Sequence, residues 1–384
     1  MKNRHLAVEQ RHSLRTFSLV VLATCLLFAG TSVAQIDMVQ TLTVGRPVVA
    51  GAPPATQSFI VDAPPSPAAV VILLPGLNGD IKLTPVGPSG GTLDVTSDNF
   101  LVRARALLAS QGFYVITLDC ATDFQQLPSC LDNQQGSAAH IQDVLQVIAW
   151  ARTAEPGLPV WLVGTSRGTA GAFVAAQNNP ASGGPDGLLF AAPNNDAAAT
   201  DPDSVLAANL AAITVPTYIV INKLDTCAKT LPSADAAVVK QLTSSPAKAL
   251  VLVQGGFPPL TADCFPLSYH GFFGIEDLAV HTIALRIGST ATALASSLNP
   301  STVSASVTFT ATVTYLARSG TPTGTVKFKD LTTATLLGSA PLVAGVATFS
   351  TSTLGVGNHS IVATYGGDGS STMSMSTKLV QQVN

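Results

Sequence analysis

Gly164-Thr165-Ser166-Arg167-Gly168 is the stretch whose residue types and spacing point most directly to chemistry. It follows the apolar run 159–163 (Pro-Val-Trp-Leu-Val) and leads into 168–177, rich in alanine and glycine. That pattern predicts a short buried strand, a tight turn and then a helix. Glycines on either side let a serine sit in a strained turn that exposes its hydroxyl. The positive end of the following helix dipole favours negative charge developing beside it. A serine is a weak nucleophile until a neighbouring base takes its proton and an acid orients that base. The chemistry on offer is acyl transfer, and it requires a histidine and a carboxylate from elsewhere in the chain.

A serine between glycines at a strand-to-helix turn resembles the nucleophile elbow of the α/β-hydrolases. In that fold the triad runs Ser, then Asp or Glu, then His. Of the six histidines, His5 and His12 lie in the leader described below, His140 precedes the serine, and His359 belongs to a separate C-terminal region. His281 falls within the amphipathic run 271–287 and reads as a helix-face residue. His270, in the loop Ser268-Tyr269-His270-Gly271, remains as the base, since loops at strand ends let an imidazole reach across a site. For the acid, Asp225 follows the strand-like segment 217–222, and Asp196, after the strand-like segment 187–193, is the alternative. Either one could instead be a turn aspartate binding its own backbone. In the catalytic role the acid accepts the Nδ1 hydrogen of His270 and stabilises the imidazolium. An apolar strand over 68–74 ends in Pro75-Gly76-Leu77-Asn78-Gly79-Asp80. The resemblance implies an oxyanion hole made of the Arg167 amide and one amide from this turn, Leu77 first and Asn78 as alternative. Each such donor contributes about 3–4 kcal/mol in comparable sites.

The 384 residues carry only 11% charged side chains and a net charge of −3. Such a chain lacks the basic field that nucleic acid requires. Its mean hydropathy is +0.39. Outside the N-terminus, however, no apolar run approaches the ~20 residues of a spanning helix. At the N-terminus, Lys2, Arg4, Arg11 and Arg15 precede the apolar run 17–29, and Ser32-Val33-Ala34 supplies small residues for cleavage. Residues 1–34 therefore read as a secretory signal peptide, placing the mature protein in the periplasm, at the cell surface or outside the cell. Cys25 lies in that leader, in a context unlike a lipoprotein cleavage site. The other four cysteines permit three disulfide connectivities, of which Cys120–Cys130 and Cys227–Cys264 are favoured. The second pair would tie the loop of Asp225 to that of His270. The cysteine spacing resembles no zinc site, and no metal or organic cofactor is expected.

From 36 to 287, strand-like and helix-like segments alternate, which predicts a doubly wound, mostly parallel α/β sheet. A helix over 99–111 is expected to be capped by Ser97 and stopped by Gly112. Residues 195–215 are too short for a large lid, so a fairly open site is expected, shaped partly by Phe257, Phe272 and Phe273. From Ser289 the composition turns to Thr, Ser, Ala and Gly, with Val307, Phe309, Ala311, Val313 and Tyr315 alternating on one strand face. An antiparallel sandwich over 289–384 follows. Residues 36–287 resemble secreted bacterial α/β-hydrolases, in the elbow, in 99–103 and in 223–227, although the Gly76 turn lacks the His-Gly-Gly-Gly of lipases. Residues 289–384 resemble a bacterial Ig-like repeat, for example in Pro322-Thr323-Gly324-Thr325-Val326 and Ala363-Thr364-Tyr365-Gly366-Gly367-Asp368. These resemblances imply an exported serine hydrolase acting on small-molecule or polymer esters. The Ig-like part would be a spacer or adhesive module contacting a surface or carbohydrate. A peptidase or amidase with the same triad, and a silent adhesion protein on a hydrolase scaffold, are the rival readings.

Overall fold

A computed structural model describes residues 37–48, 54–84, 94, 95, 97–127, 130–196, 201–207 and 209–384. The signal-peptide reading of residues 1–34 lies outside the described residues. Gln35–Asn384 form one compact unit.

The central sheet has eight strands: β1 (Asp37–Thr43), β2 (Thr56–Asp62), β3 (Val70–Leu74), β4 (Tyr114–Leu118), β5 (Val160–Ser166), β6 (Gly187–Pro193), β7 (Thr217–Asn222) and β8 (Lys248–Val253). Their spatial order is β1-β2-β4-β3-β5-β6-β7-β8. Strands β3 through β8 run parallel, while β1 and β2 add an antiparallel edge. This is the α/β-hydrolase arrangement, and the central strands are apolar without alternation because both faces are covered. Val70, Ile72 and Leu74 of β3 pack with α2 (Ala138–Ala154) and α3 (Gly168–Ala175). Val71 and Leu73 pack on the other face with α1 (Phe100–Ser110) and α5 (Glu276–Ile287). A further helix, α4 (Pro232–Gln241), follows β7.

Some local expectations are corrected. Asn99, not Ser97, caps α1: its side chain accepts from the Leu101 amide, while the Ser97 hydroxyl accepts from the Asn99 amide. Gly112 ends the helix as expected, at φ 86°. The amphipathic run 271–287 is helical only from Glu276, because residues 270–274 form turns that orient the histidine loop.

The C-terminal part pairs a three-stranded sheet with a five-stranded one. The first is β9 (Thr290–Ser296), β10 (Val307–Tyr315) and β13 (Val346–Thr351). The second holds β11 (Thr325–Asp330), β12 (Thr335–Pro341), β14 (Gly357–Tyr365), β15 (Ser374–Met375) and β16 (Leu379–Val383). Inward side chains such as Val307, Phe309, Phe328, Ile361 and Tyr365 form its core. The sandwich meets the α/β part near the amino ends of β3, β4 and β5. The indole N–H of fully buried Trp161 donates to the Ala317 carbonyl (2.5 Å), and the Ser319 amide donates to that of Ala68 (2.9 Å). The Arg318 guanidinium lies 5.9 Å from the Phe113 ring centroid. Among the described residues, no helix is long and apolar enough to cross a membrane.

Candidate active site

Ser166 closes β5 at φ 51°, the left-handed region that costs a residue with a Cβ roughly 1–2 kcal/mol. Its neighbours have the sizes that such a turn requires. A Cβ on Gly168 would lie 2.2 Å from the Leu74 carbonyl oxygen, and one on Gly76 would lie 2.8 Å from the Ser166 Cβ. Elbow and β3 turn therefore touch backbone to backbone, a contact that only glycine allows. Helix α3 starts at Gly168, so its amino end points at the serine.

Asp225 sits in the turn after β7, held by its own amide donating to the Asn222 carbonyl (2.9 Å). Its buried carboxylate accepts from the Cys227 amide at Oδ1 (2.9 Å) and from the Thr230 hydroxyl at Oδ2 (2.8 Å). His270 Nδ1 lies 3.0 Å from that same Oδ2 and 3.1 Å from the Thr230 oxygen. This geometry leaves Nε2 as the nitrogen for exchange. His270 and Ser166 line one narrow cavity of about 10 Å³, with Leu77, Phe100, Cys264 and Pro266. The structure thus brings Ser166, His270 and Asp225 together beyond the carboxyl ends of β5, β7 and β8. Asp196, the alternative acid, has its carboxylate against Lys229.

Leu77 adopts φ 57° in the turn after β3. Among the described residues, no protein acceptor takes the backbone N–H of Leu77 or of Arg167. Leu77, Asn78 and Arg167 also line an open groove of about 300 Å³, together with Asp132, whose carboxylate pairs with the Arg167 guanidinium. The expected aromatic shaping is revised. Phe272 is fully buried against Phe100 (centroids 4.6 Å apart), Phe257 and Phe273 pack on each other, and Phe100 lines the cavity. Enclosure beside the serine and openness beyond Leu77 replace the fairly open site that was expected.

The cysteines pair as Cys120–Cys130 and Cys227–Cys264. The second joins the Asp225 loop to the wall of the Ser166–His270 cavity. Sequence reading passed over Thr230, fully buried between acid and base, because a threonine five residues beyond an aspartate carries no motif. It also passed over Asp235, whose carboxyl is pushed up to about 7 by burial, against a hydrogen bond from Asn195 that lowers it, with the Asp225 charge adding to the rise. His140 is buried near the β3 turn, and burial lowers its pKa to about 4, so it is neutral at pH 7.

A family model described as "Bacterial Ig-like domain (group 3)" matches residues 294–384. No curated protein matches the chain. Among solved structures, the chain is similar to a dienelactone hydrolase from Anabaena variabilis, with 14% identity and a TM-score of 0.42 over 64% of this chain and 95% of that one. It is also similar to a cold-adapted esterase from an Arctic intertidal metagenomic library (15% identity, TM-score 0.37, 57% and 84% covered). A monoglyceride lipase from Saccharomyces cerevisiae gives 12% identity and a TM-score of 0.40 over 58% and 86%. At these values the likenesses carry no weight for function, and the α/β-hydrolase fold stands on the strand order itself.

Proposed function

We propose that this protein is an exported serine hydrolase that cleaves carboxylic esters. The observation that carries the reading is Ser166, at φ 51°, in one cavity with a histidine whose Nδ1 is held 3.0 Å from a buried aspartate. In the mechanism, His270 Nε2 takes the Ser166 proton as Oγ attacks the ester carbonyl. The amides of Leu77 and Arg167 receive the negative oxygen of the tetrahedral intermediate, with Asn78 as the alternative donor. Collapse breaks the bond to the alcohol, which leaves with the proton from His270. A water molecule then repeats the sequence on the acyl-enzyme and restores Ser166. Asp225 keeps the ring tautomer and balances the imidazolium.

Residues 36–287 would form the catalytic domain and 289–384 the Ig-like domain, with 1–34 as the leader. Two paired cysteine sets support export into an oxidising compartment. The test is labelling by a fluorophosphonate combined with turnover of a p-nitrophenyl ester panel. Labelling at Ser166 with ester turnover is expected. Labelling without ester turnover would turn the assignment to amides or peptides, and no labelling would leave a silent scaffold.

A further inference from the structure

The segment Cys130–Gln135 touches both sides of the candidate oxyanion hole, a role that no motif in the sequence announces. On the side of the β3 turn, the Leu131 amide donates to the Asn78 carbonyl (2.9 Å) and Gln135 Nε2 donates to that of Pro75 (3.3 Å). The Leu131 side chain fills the space a Cβ on Gly79 would need, at 2.7 Å. On the elbow side, the Asp132 carboxylate pairs with the guanidinium of Arg167. The segment is itself anchored. Cys130 is bonded to Cys120, and the Asn133 amide donates to Asp203 Oδ2 (3.0 Å). Cys130 and Asn133 hold left-handed φ values of 51° and 56°, a conformation kept only where surroundings over-determine it.

The two proposed donors belong to different elements: Leu77 to the turn after β3 and Arg167 to the start of α3. Their joint value depends on a fixed separation, because a donor displaced by a fraction of an ångström no longer meets the developing charge. We infer that Asp132 and Gln135 are positioning residues that hold the Leu77 and Arg167 amides in register for the tetrahedral intermediate. This rests on the serine-hydrolase reading. Neither side chain touches the reacting atoms; Asp132 acts through Arg167 and Gln135 through the Pro75 carbonyl.

The experiment compares wild type with Asp132→Asn, Gln135→Leu and the double variant, measuring kcat and KM on p-nitrophenyl butyrate. It also measures Ki for an aliphatic trifluoromethyl ketone, whose serine adduct carries the oxyanion. Each single variant should lower kcat about 5- to 10-fold with KM within about twofold, and Ki should rise by the factor by which kcat/KM falls. The double variant should lose more than either single one. Asp132→Glu should recover part of the loss by restoring the ion pair. Unchanged kcat and Ki in the double variant would overturn the inference, as would a fall in kcat with Ki unmoved, since the amides would then be unaffected. Ser166→Ala run alongside separates the two ideas. If it retains turnover, the serine mechanism fails; if it is inactive while the double variant is normal, only the positioning role fails.

Discussion

Two regions of this molecule each bury a histidine against an aspartate, and only one of the two histidines shares a cavity with a serine. In the α/β part, His270 Nδ1 lies 3.0 Å from Asp225. In the sandwich, His359 Nδ1 lies 2.7 Å from Asp330. The difference is at the other nitrogen. His359 Nε2 donates to the Gly355 carbonyl (2.9 Å), so both ring nitrogens are taken up by protein partners. The Asp330 hydrogen bond accordingly raises the His359 pKa. A ring closed in this way presents neither nitrogen to a substrate. His270, by contrast, lines the cavity it shares with Ser166. The framing differs as well. Asp330 and His359 stand on paired strands, β11 and β14, whereas Asp225 and His270 sit on loops joined by a disulfide. A His–Asp pair by itself is an ordinary structural element, and the catalytic role proposed for His270 rests on the cavity it shares with Ser166.

The contrast breaks most visibly at the serine and the histidines. Ser166→Ala and His270→Gln should each lower kcat by about 10³-fold or more on a p-nitrophenyl ester with unchanged circular dichroism. His359→Gln should leave turnover within about twofold; a comparable loss there would erase the distinction. Next is the covalent brace. Replacing Cys227 and Cys264 by serine opens a loop of sequence separation 37 and should cost about 3–4 kcal/mol in denaturant titration, with reduced turnover. Unchanged stability and turnover would show that the two loops hold themselves. Thr230→Val removes the hydroxyl shared by Asp225 and His270 while keeping the shape, and about tenfold should be lost from kcat with KM constant. Thr230→Ser should restore it. The smallest effect concerns the sandwich pair. With the His359 pKa raised above 6.5, its stabilising contribution is fully present below that pH and is lost as pH rises through the folded-state value. Melting temperature should therefore fall by about 2 °C more between pH 6 and 9 in wild type than in His359→Gln. Parallel pH profiles would disprove a raised His359 pKa.

Much of this architecture could be read from the chain. Uninterrupted apolar runs at 68–74, 113–119, 159–163, 187–193 and 217–222 correspond to β3 through β7, because a strand buried on both faces cannot alternate. Alternation at 307–315 matches β10, which has one inward face. Strands β1 and β2 were not distinguished within 36–287: β1 is a half-exposed edge, and β2, though largely buried, begins with the polar Thr56, Gln57 and Ser58. The sandwich, whose resemblance implies a spacer or adhesive module, docks on the α/β part through Trp161 and Ala317, residues 156 positions apart. No local signal encodes such a contact.

Residue types and chain order determined which chemistry is available: a serine between glycines at a strand end, then an acid, then a base, followed by an independently patterned β region. These are local properties, fixed by backbone sterics and by the periodicity of burial. The tertiary structure alone decided that Thr230 sits between Asp225 and His270, that Cys130–Gln135 contacts both the Leu77 turn and Arg167, and that both His359 nitrogens have protein partners. Each depends on distances of a few ångströms between segments brought together by strand order, and hydrogen bonds at that range carry no trace in hydrophobic patterning.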